Sequence, residues 1–112
     1  MVAPQAQADR EAPPPVPPVV HNGVRYAQAE DGRAHGFTQV GGVLLATAAD
    51  TGRQLWVLQV YPNPVDPAKE ADAQWIFFRS MALDAGGRLR IVDEAGRVHL
   101  VDPGRRTVTP GR

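Results

Sequence analysis

The chain of 112 residues contains no cysteine. Disulfide staples, thiolate metal sites and cysteine nucleophiles are thereby excluded. It has a single lysine, Lys69, and a single serine, Ser80. Ser80 stands inside an apolar stretch with no G-x-S-x-G elbow and no histidine nearby in sequence, so a serine nucleophile is not expected. Net charge is absent too, with 12 basic and 12 acidic residues. No overall field draws the chain to nucleic acid or to an anionic membrane, and neither is expected as a partner. No apolar run approaches the ~20 residues of a membrane-spanning helix. No signal-peptide pattern opens the chain. However, Met1-Val2-Ala3-Pro4-Gln5-Ala6-Gln7-Ala8 resembles the trimmed start of a secreted protein. A periplasmic or secreted location and a cytoplasmic one therefore both stay open. The skew towards arginine, alanine, glycine and proline is that of GC-rich bacterial coding.

One signal recurs along the chain: an acidic residue, any residue, glycine, then usually arginine. It reads Glu30-Asp31-Gly32-Arg33, Asp50-Thr51-Gly52-Arg53, Asp84-Ala85-Gly86-Gly87, Glu94-Ala95-Gly96-Arg97 and Asp102-Pro103-Gly104-Arg105. Glycine supplies the left-handed backbone that closes a short hairpin loop. The acid side chain can hydrogen-bond the backbone of the turn it opens.

Between these corners lie strand-like segments. Val24 to Ala29 alternates, Phe37 to Val40 is short, and Val43 to Ala49 is built of small residues. Residues 54–61 and 75–83 are apolar on both faces, as in the middle of a sandwich or closed barrel. Leu89 and Ile91 point one way, with Val98 and Leu100 expected beside them. Arg88, Arg90, Arg97, His99 and Val101 take the other side. Thr107-Val108-Thr109 adds a short final strand. Residues 1–20, rich in alanine and proline, are expected to be a disordered tether with polyproline II character. The expected fold is therefore all-β: an antiparallel meander of about six or seven strands over 21–112, forming a small sandwich or partly open barrel.

Leu45-Ala46-Thr47-Ala48-Ala49-Asp50-Thr51-Gly52-Arg53-Gln54-Leu55-Trp56 resembles the quinoprotein-type (PQQ-like) β-propeller repeat. Ala46, Thr51, Gly52 and Trp56 match that pattern, while the family's aspartate falls on Ala48. The resemblance covers one hairpin. It implies a blade-like hairpin in which Trp56 is a packing residue, and it implies neither a complete propeller nor a dehydrogenase. Trp75 and Phe78 are likewise assigned to packing.

Candidates for chemistry are few. His21, His35 and His99 lack any metal-ligand spacing, and they define at most a histidine-based metal site assembled in space. Arg88, Arg90, Arg97 and His99 form a candidate basic face on the hairpin 88–101. The long connection 61–74, stiffened by Pro62, Pro64 and Pro67, is the candidate contact segment, with Tyr61, Asn63, Val65, Asp66, Lys69 and Glu70 as its partner-binding residues. No catalytic residue and no cofactor is assigned. The expected function is a non-catalytic protein-binding or assembly module acting through the 61–74 loop or a sheet edge. Its partner would be another protein or a second copy, as in a homodimer. A small barrel carrying an apolar ligand is the alternative, and histidine-based metal binding a lesser one.

Overall fold

The computed structural model describes residues 15–112, and they fold as an all-β unit. Eight strands form two four-stranded antiparallel sheets, each ordered as it runs in sequence. The first sheet holds β1 (Val19–His21), β2 (Val24–Gln28), β3 (Val43–Ala48) and β4 (Gln54–Gln59). The second holds β5 (Phe78–Leu83), β6 (Leu89–Asp93), β7 (Val98–Asp102) and β8 (Thr107–Pro110). The expected meander is thus split in two by the 60–77 connection. No ladder joins the sheets, so the layers make an open sandwich rather than a barrel.

Side-chain alternation fixes which residues meet between the layers. The first sheet contributes Tyr26, Leu44, Ala46, Trp56 and Leu58, and the second Met81, Leu89, Ile91 and Val101. Phe78, Leu44, Leu89 and Ile91 are completely buried. Tyr61 and Phe78 stand between the layers with ring centroids 6.1 Å apart. A side chain also ties them together: Gln28 Oε1 accepts a 2.6 Å hydrogen bond from the Phe78 amide.

Three sequence expectations need correction. The boundary at residue 20 is too late: Val16 and Val19 pack against the core, and β1 begins at Val19. Residues 1–14, the rest of the expected tether, lie outside the described residues. The β1–β2 hairpin turns at Asn22-Gly23, both with positive φ (50° and 76°), the type I′ geometry that Asn-Gly favours. Phe37 to Val40 is not a strand, because a 3-10 turn at Gly32–His35 occupies that connection. Finally, β5 starts at Phe78, so Trp75, Ile76 and Phe77 precede the strand.

Candidate functional site

The acid of the turn signal has the expected role at several corners. Asp84 Oδ1 accepts from the amides of Gly86 and Arg88, at 2.9 Å each. Asp102 Oδ1 accepts from Gly104 and Arg105 at 3.0 and 3.1 Å. In the β6–β7 turn the acid is Asp93, one residue before the Glu94 of the sequence signal. Asp93 Oδ1 accepts from the amides of Ala95 (2.9 Å) and Arg97 (3.0 Å). Its Oδ2 accepts from Arg97 Nε at 3.0 Å and meets His99 Nε2 at 2.9 Å. Glu94 reaches instead across the sheet and accepts from the Phe77 amide at 2.9 Å.

Asp93 is fully buried, so its charge needs these donors. Burial alone would raise its carboxyl. The His99 hydrogen bond, the Arg97 and Ala95 amides and the Arg97 charge outweigh burial and hold the group below the usual carboxylate range. A carboxylate can only accept, so His99 Nε2 carries the proton of that bond. The His99 ring in turn stacks on Tyr61 at 4.7 Å, with Arg97 5.8 Å from the Tyr61 centroid. Tyr61 donates to the Ile76 carbonyl at 2.7 Å.

This cluster overturns the expected face of the 88–101 hairpin. Ile91 pairs with His99 and Leu89 with Val101, which places His99 on the core side. Val98 and Leu100 share the outer side with Arg90 instead. His99 therefore does not belong to an exposed basic face, and Arg97 turns back onto Asp93. Arg90 binds the Arg112 carbonyl, and Arg88 pairs with Asp84 at 3.1 Å. Ser80 faces outward opposite Val92, on the other side of the sheet from His99, so these two residues do not meet.

The 61–74 connection is pinned from within. Gln39 donates to the carbonyls of Gly41 (2.7 Å) and Tyr61 (2.8 Å), and its Oε1 accepts from the Asn63 amide. Asn63 accepts from the Ile76 amide at 2.8 Å and donates to the Gln74 carbonyl at 3.0 Å. Tyr61 and Asn63, expected as outward contacts, are buried at 4% and 3% exposure. Their polar atoms are used in closing the loop. Val65 is half-buried, while Asp66, Lys69 and Glu70 remain at the surface. Gln39 was not among the expected site residues; its sequence context, a glutamine before Val-Gly-Gly, gives no sign of this role.

The three histidines stay apart. His21 meets Asn22, His35 ends the 3-10 turn, and His99 belongs to Asp93. No group of three potential ligands forms among the described residues. Trp56 lies 5.9 Å from Tyr26 and under Arg106. Trp75 packs edge-on to Phe77 at 6.3 Å, with Arg33 beside it.

The sheet edges remain. β1 and β5 lie against each other on one flank. β1 is short and follows Pro17-Pro18, and β5 carries a bulge with exposed Arg79. On the opposite flank β4 and β8 are outermost. The Gly111 amide bonds the Val98 carbonyl, so by alternation β8 turns residues 108 and 110 outward, and Pro110 has no amide to offer. The Val60 amide bonds Gly42, so β4 turns the amides and carbonyls of Val57 and Gln59 outward. Residues 54–60, β4 and the residue after it, carry no charge and no proline. A bulge at Leu55 ends the regular stretch at Trp56. Between the ends of β4 and β8 runs an open groove of about 710 Å³, lined by Val60, Tyr61, Val98, His99, Val108 and Pro110 among others.

Comparison with known proteins finds no matching family model, no matching curated protein and no matching solved structure. No helix among the described residues is long and apolar enough to cross a membrane.

Proposed function

We propose that the protein is a non-catalytic binding or assembly module that takes up an extended segment of a protein partner along the free edge of β4. One observation carries this reading. Among the described residues, β4 is the outermost strand that presents a regular, uncharged run with paired outward donors and acceptors. Sheet edges of that kind are normally shielded by prolines, bulges, charges or a covering element. The other three edges carry such shields, whereas the bulge of β4 at Leu55 leaves the run from Trp56 onward open. Strand addition would satisfy Val57 and Gln59 and extend the first sheet to five strands. The loop at 61–74 supports the edge rather than competing with it, because Gln39 and Asn63 fix the chain directly after β4.

The test is a titration of isotope-labelled protein with a capped octapeptide of alternating threonine and valine. Amide resonances of Val57 and Gln59 are expected to move most, and Val57→Pro is expected to abolish the response. Shifts centred on residues 61–74, with β4 unaffected, would refute the reading.

A further inference from the structure

We infer that the occupant of the β4 edge is a second copy of this chain, bound through two-fold β4–β4 pairing in which each Trp56 enters the groove of the other protomer. This rests on the edge reading above and goes further by fixing partner and register.

In two-fold pairing of antiparallel strands, i opposite j requires j opposite i, and because outward groups recur at every second residue, the axis passes between identical residues. Outward groups on β4 belong to Val57 and Gln59. These must face each other to form ladder bonds. The bulge at Leu55 removes the register centred on Val57, which would set Leu55 against Gln59. A register centred on Leu58 uses only the regular run 56–60. It sets Val57 opposite Gln59 twice, forming four backbone hydrogen bonds, and Leu58 opposite Leu58.

The same register sets Trp56 of one protomer opposite Val60 of the other. Trp56, Leu58 and Val60 alternate onto the core side of the sheet. Val60 is a wall of the groove between β4 and β8. An added strand on this flank therefore directs its Trp56 towards Val60, Val108 and Pro110. The indole is only half-buried in its own protomer, beside Tyr26 and under Arg106, and the groove beyond Val60 is open. Aromatic anchors entering such pockets dominate association energetics.

Charge permits the pairing. No charged residue lies between Gln54 and Val60, and the chain as a whole has no net charge to repel a copy. The nearest cation in sequence, Arg53, falls at opposite ends of the paired strands, and the nearest in space, Arg106, lies over the Trp56 ring. Five residues and one indole per side make a small interface, which implies a concentration-dependent dimer rather than a permanent one.

The absence of native cysteine makes the register directly readable. In a Leu58-centred pair, residues 57 and 59 of opposite protomers stand about 5.5 Å apart at Cα, within disulfide reach. Residues 57 and 57, or 59 and 59, are offset by two positions and lie beyond it. Oxidation of the Val57→Cys, Gln59→Cys double variant with oxidised glutathione is therefore expected to give a covalent dimer, and neither single variant is expected to do so.

Light scattering across roughly 1 µM to 1 mM should show monomer passing to dimer. In a Trp75→Phe background, Trp56 emission should move to the blue over the same range. Val57→Pro should raise the dissociation constant at least tenfold. A monomer at every concentration, or cross-linking by a single cysteine but not by the pair, overturns the self-pairing. If the chain stays monomeric yet Val57 and Gln59 respond to the threonine–valine peptide, the edge reading survives and only the self-pairing falls. If neither dimer nor peptide response is found, both fall.

Discussion

Replacing Asp93 by asparagine isolates the buried charge at the β6–β7 turn. The substitution keeps the size of the side chain and one carbonyl oxygen. That oxygen still accepts from the Ala95 and Arg97 amides, so the turn itself survives. The other oxygen becomes an NH₂ group facing Arg97 Nε, an obligate donor, and His99 Nε2, which can meet it only by shifting its proton to the other ring nitrogen. The Arg97 side chain is 54% exposed and can return to water. The His99 ring is only 14% exposed, pressed on Tyr61, and cannot do so freely. An unsatisfied buried donor costs about 1–3 kcal/mol, and the loss of a charge-assisted partner places this site in the upper part of that range. The expected loss is therefore about 2–3 kcal/mol, a large share of the ~5–15 kcal/mol that stabilises an ordinary domain.

The pH dependence separates a charge effect from a packing effect. The Asp93 carboxyl is held below its ordinary range in the folded protein. A group depressed on folding contributes fully above its unfolded value, near 3.9, and that contribution fades as pH falls through the folded value. Urea denaturation of the wild type and of Asp93→Asn should accordingly differ by about 2–3 kcal/mol at pH 7. The two curves should converge as the pH drops below the ordinary carboxylate range. A gap under about 0.5 kcal/mol at neutral pH, or one that persists unchanged in acid, would refute the account of this cluster.

Three further outcomes are expected. Both tyrosines have phenols raised by burial, Tyr61 also by the charges of Asp93 and Glu94. Absorbance near 295 nm should therefore show tyrosine titration displaced upward from its ordinary range in the folded protein, and a normal native titration would count against the burial of these rings. Asn63→Ala leaves the Ile76 amide and Gln74 carbonyl without their partner, for an expected loss of about 2–3 kcal/mol by thermal denaturation, whereas Asp66→Ala at the exposed end of the same loop should cost under about 1. Gly41→Ala would drive a Cβ into the Ile76 carbonyl, a backbone atom that cannot swing aside, so a loss of at least about 2 kcal/mol is expected; a neutral result would mean that the 39–42 and 74–76 segments separate easily.

The corners were legible because their cause is local, although the left-handed residue is the expected glycine only at Gly52 and Gly96; elsewhere it falls just past that glycine, on Gly87 and Arg106, and Gly32 instead opens a 3-10 turn. A positive φ at Gly52, Gly87 and Gly96 is demanded by the turn itself, whatever packs around it. Strand existence followed from the same punctuation. The Asn22-Gly23 hairpin carried an equally local signal, masked by the prolines directly before it. Faces were harder. β7 has Val98 and Leu100 on one side, and His99 and Val101 on the other. Apolar content alone therefore does not say which side is buried. What decides is Asp93, whose carboxylate binds the turn and the His99 ring together and draws that histidine inside. Such a choice depends on a residue six positions away that acts only after the hairpin closes.

The loop and the edge show the same limit from the other direction. Gln39 reaches Tyr61 and Asn63 across more than twenty residues of sequence, a contact that no window of local pattern contains. Tyr61 and Asn63 look like surface recognition residues in a proline-rich loop, but each has a buried backbone group to satisfy. The free run of β4 is invisible for a further reason. Gln54-Leu55-Trp56-Val57-Leu58-Gln59 reads as an interior strand, apolar on both faces, and such strands normally lie between two neighbours. It becomes an edge only because the chain breaks its meander after Val60 and starts a second sheet at Phe78. A sequence suited to the middle of a sheet, placed at its margin, is a strand with one neighbour missing. That mismatch between composition and position, more than any single side chain, makes β4 the place to look for a partner.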